Sequence, residues 1–387
     1  MPILNRAAEL QPEIAAWRRH IHEDPEILFD VHNTAAFVAE RLREFGCDEV
    51  VTGLGRTGVV GVIKGRHGPG KTIGLRADMD ALPITEITGK PYASRNPGKM
   101  HACGHDGHTA MLLGAAKYLA ETRNFAGSVA VIFQPAEEGG GGGKEMVKDG
   151  MMERFDIAQV FGMHNLPGLP VGHFGIRPGA IMASTAEITI TIKGRGAHAA
   201  QPHRSIDPIV AGSQLVVALQ TIASRAVDPI ESVVVTITKF HGGDAYNVIP
   251  ETVQLAGTVR TLKDEVSRRA EERMQAICAG IAAASESDIK LDFRRNYPVT
   301  VNHDAETEFA AGVAAAIAGE TSVDRAMAPM MGGEDFSYML KARPGAFIFM
   351  GNGDTAGLHH PAYDFNDEAI PHGVSYWVRL AETALAK

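Results

Sequence analysis

Between residues 183 and 296 the texture of the chain changes, and this constrains the fold more than any other feature of its 387 residues. On either side, short apolar runs alternate with stretches in which Ala and Leu recur at helical spacing. That is the pattern of an α/β domain with a largely parallel sheet and helices on its faces. Inside the segment, residues 186–192 (AEITITI) alternate at period two, as a strand with one solvent-facing side does. A helix pattern follows at 208–224, strands at 232–239 and 252–260, a long amphipathic helix at 265–285 and a strand at 289–294. The order β-α-β-β-α-β is that of a ferredoxin-like α+β unit. The expected architecture is therefore one α/β domain made of residues 1–182 and 297–387, interrupted by an inserted ferredoxin-like domain at 183–296. The length agrees, since it exceeds what one ordinary core accommodates.

In the outer segments, residues 1–46 read as two helices joined near Pro25, and strands are expected at 49–52, 58–64, 72–76, 128–133, 157–162 and 346–350. A helix is expected at 106–122. Several strands run into polar clusters: 72–76 leads to Asp78 and Asp80, 128–133 to Glu137 and Glu138, and 157–162 to His164. The run Met100-His101-Ala102-Cys103-Gly104-His105-Asp106-Gly107-His108 precedes the helix, and Gly357-Leu358-His359-His360-Pro361 lies near the end. In open α/β sheets ligands bind beyond the carboxyl ends of the strands, so such clusters can converge.

Thiolate, imidazole and carboxylate together are the donors that hold a transition-type divalent cation. Cys103 stands between small residues with an imidazole two positions away on either side, and so many polar groups are costly to bury unpaired. Glu137-Glu138 ends an apolar run and opens a glycine run, which suits close backbone approach to a ligand. Cys47 and Cys278 lie on apolar helix faces and read as small buried hydrophobes. A thiol nucleophile at Cys103, with His101 or His105 as its base, would leave the carboxylates without a role. Gly65-Arg66-His67-Gly68-Pro69-Gly70-Lys71-Thr72 matches a phosphate-loop pattern, but a strand rather than a helix follows it. It is therefore read as a hairpin turn between strands.

The formal charge of -9 and the absence of any basic stripe exclude a nucleic-acid backbone as partner. Three cysteines, odd in number and far apart, suit a reducing compartment. The N-terminus lacks the layout of a signal peptide, and no uninterrupted apolar run approaches the roughly 18 residues of a membrane span. The expectation is a cytoplasmic protein with no membrane partner.

These motifs resemble the metal-dependent N-acyl-amino-acid amidohydrolases, which include hippurate hydrolases, aminoacylases and auxin-conjugate hydrolases, within the wider zinc carboxypeptidase and aminoacylase superfamily. The resemblance runs through Arg18-Arg19, His22, Pro25-Glu26, Arg76-Ala77-Asp78-Met79-Asp80-Ala81-Leu82-Pro83 and the Met100–His108 run. It continues through Gln134-Pro135-Ala136-Glu137-Glu138, Gly162-Met163-His164-Asn165, Gly196-Ala197-His198-Ala199 and Asn247-Val248-Ile249-Pro250. It ends with Gly332-Gly333-Glu334-Asp335-Phe336 and Leu358-His359-x-Pro361. It implies two divalent ions (zinc, manganese, nickel or cobalt) held by Cys103, His105, Glu138, His164 and His359. His359 is preferred to His360 on the family pattern alone. The resemblance makes Glu137 the general base and puts Asp80 at a position that usually orients a metal-binding His, here replaced by Asp78. It makes the insertion a lid and dimerisation domain, with His198 polarising the scissile carbonyl and Asn247 and Arg260 contacting substrate.

The implied reaction is hydrolysis of the amide bond of an N-acyl-L-amino acid, by a protein assembled as a homodimer or homotetramer. A metallodipeptidase or carboxypeptidase on the same scaffold is the alternative. A non-catalytic metal-binding protein would need the ligands but not a second carboxylate beside Glu138.

Overall fold

A computed structural model describes residues 3–387. Met1 and Pro2, which the reading above placed in the first helical stretch, lie outside the described residues. The chain forms two compact units: one takes the chain up to Ile181 with Val301–Ala328 and Asp335–Lys387, the other Met182–Thr300 with Pro329–Glu334.

The first unit is built on an eight-stranded sheet. Its order is Glu49–Leu54, Gly58–Lys64, Ser128–Gln134, Thr72–Asp78, Ile157–Pro167, Gly345–Gly353, Phe174–Gly175, Val323–Asp324. The four central strands, from Ser128–Gln134 to Gly345–Gly353, are parallel, while the Glu49–Leu54 and Gly58–Lys64 strands add an antiparallel edge. Central strands buried on both faces must be nearly continuously apolar, and Ser128–Gln134 (SVAVIFQ) is an example. Ile73, Leu75, Ala77, Val129, Val131 and Phe133 share one core with the helices Asn5–Glu23, His105–Thr122 and Ile370–Ala384. Arg76 points the other way, as the alternation of a strand requires, and meets Asp335 beside the short helix Ser337–Ala342.

Two local expectations are corrected. Residues 65–71 are no hairpin turn: the strands on either side of them are separated in the sheet by Ser128–Gln134, antiparallel to one and parallel to the other. Gly65 and Gly70 pack against Phe125 and Gly127, the segment leading into that intervening strand. The strand expected at 157–162 continues to Pro167, so His164 lies inside it, paired with Phe349, rather than beyond its end.

The first helix is fastened at its C-terminal end. Fully buried Arg18 places Nε 2.7 Å from Asp106 Oδ2, and His22 Nδ1 donates to the same oxygen at 2.7 Å. His22 Nε2 faces Glu86 Oε2 at 3.4 Å. Burial and Arg18 disfavour charge on His22, but Asp106 and Glu86 outweigh them and raise it from 6.5 to about 9. A raised imidazole stabilises the fold fully below its unfolded value of 6.5 and loses that contribution as pH climbs through about 9. Denaturant unfolding across this window should therefore show a falling stability that is flatter in His22→Gln. Parallel curves for the two proteins would refute it.

In the second unit the sheet order is Val233–His241, Thr252–Thr261, Ser184–Lys193, Asp288–Arg295, with every neighbour antiparallel. The first and second strands in chain order thus flank the third, the split arrangement of a ferredoxin-like unit. Ile188, Ile190 and Ile192 meet Leu215 and Leu219 of helix Pro208–Leu219 and Met274 and Cys278 of helix Asp264–Ser285. Pro208–Ala226 has a mean hydropathy of 1.2, enough by length and composition for a membrane span. Ala211, Leu215, Leu219 and Ile222 face the unit's own core, while Ile209, Val210 and Val217 are exposed.

Candidate metal centre

Cys103 and His105 are separated by Gly104, which adopts φ +91° immediately before helix His105–Thr122. A Cβ there would lie 2.2 Å from Asn165 Nδ2 and 2.6 Å from Tyr363 Oη, so only glycine admits this approach. His105 Nδ1 donates to the main-chain oxygen of Asp80 at 2.8 Å. His164 Nδ1 donates to the main-chain oxygen of Asn165 at 2.6 Å. Each donation leaves Nε2 as the lone-pair nitrogen, the state in which an imidazole binds metal. His105 Nε2 is buried with no hydrogen-bond partner, and His164 Nε2 lies 3.4 Å from Cys103 Sγ.

The carboxylates arrive through a strained turn. After strand Ser128–Gln134 the chain turns at buried Ala136, whose φ is +54°, a region non-glycine residues seldom enter. The next two amides are then caught by one side chain: Glu137 N donates to Asp80 Oδ1 at 2.9 Å and Glu138 N to Asp80 Oδ2 at 3.1 Å. Asp80 thus orients Glu137 and Glu138 through their backbone. Glu138 Oε1 lies 3.3 Å from His359 Nε2 and 3.9 Å from His105 Nε2, and is otherwise unpartnered. Donor atoms of Cys103, Glu138 and His359 fall within 4.8 Å of one another, as do those of His105, Glu137 and Glu138. His360 is exposed and accepts from Ala362 N, which separates it from His359.

His108 also lies close to Asp78, His105 and His164. Its nitrogens are both engaged, however: Nδ1 donates to Asp78 Oδ1 at 2.6 Å and Nε2 accepts from Asn165 N at 2.9 Å. It orders the site instead of serving as a donor to a cation. Behind it runs a buried network that no sequence signal announced. Asp78 takes Arg76 Nη1 at 2.8 Å, and Arg76 Nη2 reaches Asp335 Oδ1 at 3.1 Å. Asn165 Nδ2 donates to Cys103 O at 2.7 Å, and Tyr363 donates to Asn165 Oδ1 at 2.7 Å. Asp78 therefore belongs to the Arg76–His108 chain and Asp80 to the Glu137–Glu138 turn.

The charges agree with this division. Burial opposes charge on His105, but Asp78, Asp80 and Glu138 raise it to about 10, so a cation taking its Nε2 lone pair displaces a proton from the ring. Burial, then Glu138, Glu137 and Asp78, hold the Cys103 thiol well above its ordinary value. Catalytic thiols are shifted the other way, so the short distance to His164 does not make an activated Cys–His pair. Carboxylates and a thiol crowded in a dry site create a negative potential that a cation relieves. With two imidazole lone pairs and an orphaned carboxylate oxygen turned inward, these residues fit a divalent metal.

The remaining expected residues belong to the second unit. His198 and Asn247 are neighbours on a small ribbon: Ala197–His198 pairs with Val248–Ile249, and Ala199 N donates to Asn247 O at 2.9 Å. His198 Nδ1 accepts from Ala200 N at 3.1 Å, which leaves Nε2–H as an exposed donor. Arg260 is half-buried, paired with Thr185 and Val234 in the sheet, and its guanidinium makes no hydrogen bond among the described residues. Burial lowers its pKa, with Glu187 as a partial counterweight.

Comparison with known proteins places the chain among known relatives. Residues 74–383 match the model of peptidase family M20/M25/M40. The chain is 45% identical to a hippurate hydrolase of Campylobacter jejuni, over 98% of this chain and 99% of that one. It is 42% identical to an N-acetyl-L-cysteine deacetylase of Bacillus subtilis, over 93% and 85% of the two chains. Among solved structures it resembles the YXEP protein of Bacillus subtilis, described as a dinuclear metal-binding peptidase from the M20 family. The TM-score is 0.84 at 35% identity, covering 98% of this chain and 99% of that one.

Proposed function

The chain belongs to peptidase family M20/M25/M40, and on that premise we propose that it hydrolyses the amide bond of N-acyl-L-amino acids at a centre of two divalent cations. The observation carrying this reading is the pair Glu137-Glu138, fixed as a unit by Asp80. A binding protein needs one such carboxylate; a hydrolase needs a second that can move a proton.

Cys103, His105, Glu138, His164 and His359 are the proposed ligands. Two bound cations would polarise the scissile carbonyl and lower the pKa of water towards about 7. Glu137 takes the proton from water as its oxygen bonds to the acyl carbon, and returns it to the nitrogen as the C–N bond breaks. A free carboxylic acid and an amino acid result. Such proton transfer contributes typically about 10²–10⁴ in rate. His198, with Nε2–H exposed, would donate to the developing oxyanion, and Arg260 and Asn247 would receive the substrate's carboxylate end. The resemblance to the family would make the second unit a lid and dimerisation domain, with assembly as a homodimer or homotetramer. The three cysteines are free, which suits work in the cytoplasm.

The test is a substrate panel on metal-defined protein. Benzoyl- and acetyl-amino acids should be turned over, chelation should abolish activity, and zinc, manganese, nickel or cobalt should restore it. Turnover that survives chelation would return the thiol of Cys103 to consideration, and turnover of dipeptides alone would favour the dipeptidase reading.

A further inference from the structure

Among the proposed ligands His359 stands apart. Cys103, His105 and His164 are buried, whereas the His359 side chain is 54% exposed, on a segment without regular structure. Its φ is +61°, a conformation that persists for a non-glycine residue only when its surroundings over-determine it. Two backbone bonds contribute: His359 N donates to Ala102 O at 2.8 Å, and Ile87 N donates to Pro361 O at 2.9 Å. The third anchor is a side chain. Asp364, five residues on, accepts Arg18 Nη2 at 2.7 Å on one oxygen. On the other it accepts the Tyr92 hydroxyl at 2.9 Å and faces Lys90 Nζ at 3.2 Å.

The same guanidinium places Nε 2.7 Å from Asp106, the residue after His105. Arg18 therefore joins the segment bearing His105 to the segment bearing His359. We propose that Arg18 is a positioning residue for the metal centre: acting through Asp364, it sets the affinity of the cation that Cys103, Glu138 and His359 share. This rests on the ligand assignment given above. A planar fork with fixed donor directions can hold two carboxylates in one mutual geometry, which a lysine ammonium cannot. A purely structural ion pair would alter stability and leave cation affinity alone.

The variant of choice is Asp364→Asn, because it frees the His359 segment and leaves Arg18 paired with Asp106. Metal-free wild type, Asp364→Asn, Arg18→Lys and His359→Ala are titrated with Co²⁺ alone. Cobalt bound is read by equilibrium dialysis, and the thiolate-to-cobalt absorption reports Cys103. Removing a group that orients a ligand weakens metal binding by about 10–100-fold. That loss is expected in Asp364→Asn for one of two equivalents, the same one lost in His359→Ala, with the other unchanged. Arg18→Lys should weaken that equivalent at least as much. Thermal unfolding of the metal-free proteins tells the two roles apart. Wild-type cobalt affinity in Asp364→Asn overturns the proposal, whatever its melting temperature, and so does an equal weakening of both equivalents with a lowered melting temperature. If His359→Ala loses an equivalent and Asp364→Asn does not, the ligand assignment stands and only the role of Arg18 falls. If His359→Ala loses none, both fall.

Discussion

Glu137→Gln is expected to bind the same number of cations as wild type and to lose about 10²–10⁴ or more in kcat, with little change in KM. The amide of glutamine has nearly the carboxylate's shape, and the backbone that fixes it, Glu137 N on Asp80 Oδ1, is untouched. What disappears is the capacity to accept a proton. Metal content by elemental analysis and kcat on a benzoyl-amino acid must be measured on one preparation. A Gln variant with full metal and substantial turnover sinks the assignment. One that has lost metal as well would show that Glu137 is a ligand, which the closeness of its oxygens to His105 and Glu138 makes a sharp alternative.

Arg76→Met should produce the largest loss of stability. Arg76 is 1% exposed, and its partners Asp78 and Asp335 are fully buried. Removing one member of a buried ion pair leaves an uncompensated charge and costs about 3–5 kcal/mol. Gln134 and Gly143 still hold Asp335, and His108 still holds Asp78, so the two carboxylates keep hydrogen bonds but lose their cation. Chemical denaturation of metal-free protein measures the effect apart from any change in cation binding. A variant within about 1 kcal/mol of wild type would show that those neutral donors suffice.

The motifs that carry the proposed ligands were legible because they are local. Cys103-Gly104-His105 is three residues long, and the glycine between the donors is demanded by the close approach of Asn165. Element types were legible too, since period and composition differ between the outer segments and the insertion. Order within a sheet was not. Nothing in residues 58–78 shows that a strand fifty residues later will lie between those at Gly58–Lys64 and Thr72–Asp78, and the hairpin reading failed there. His164 was placed beyond its strand because His-Asn interrupts an apolar run. The strand continues through them because both side chains are satisfied by His108, Asn165 and Cys103. Asp80 was singled out, but its task was hidden, as its partners are two amides near sixty residues away. Arg18, Arg76 and Asp335 sat inside recognised motifs with no chemistry attached, because the significance of a buried charge lies in its partners.

The central position of the Gly345–Gly353 strand carries a consequence for how the protein is made. This strand pairs in parallel with Ile157–Pro167, yet the ribosome delivers it only after the whole second unit. At about 5–20 residues per second, the gap is about 10–40 s. For that interval the growing chain displays the open edge of a half-built sheet, a surface prone to wrong pairing. The second unit, whose strands and helices all lie within one continuous stretch apart from Pro329–Glu334, can fold meanwhile. His359 is the last of the proposed ligands to emerge, after Cys103, His105, Glu138 and His164. On the proposed assignment, the site would be completed only after the strand that fills the sheet has been made.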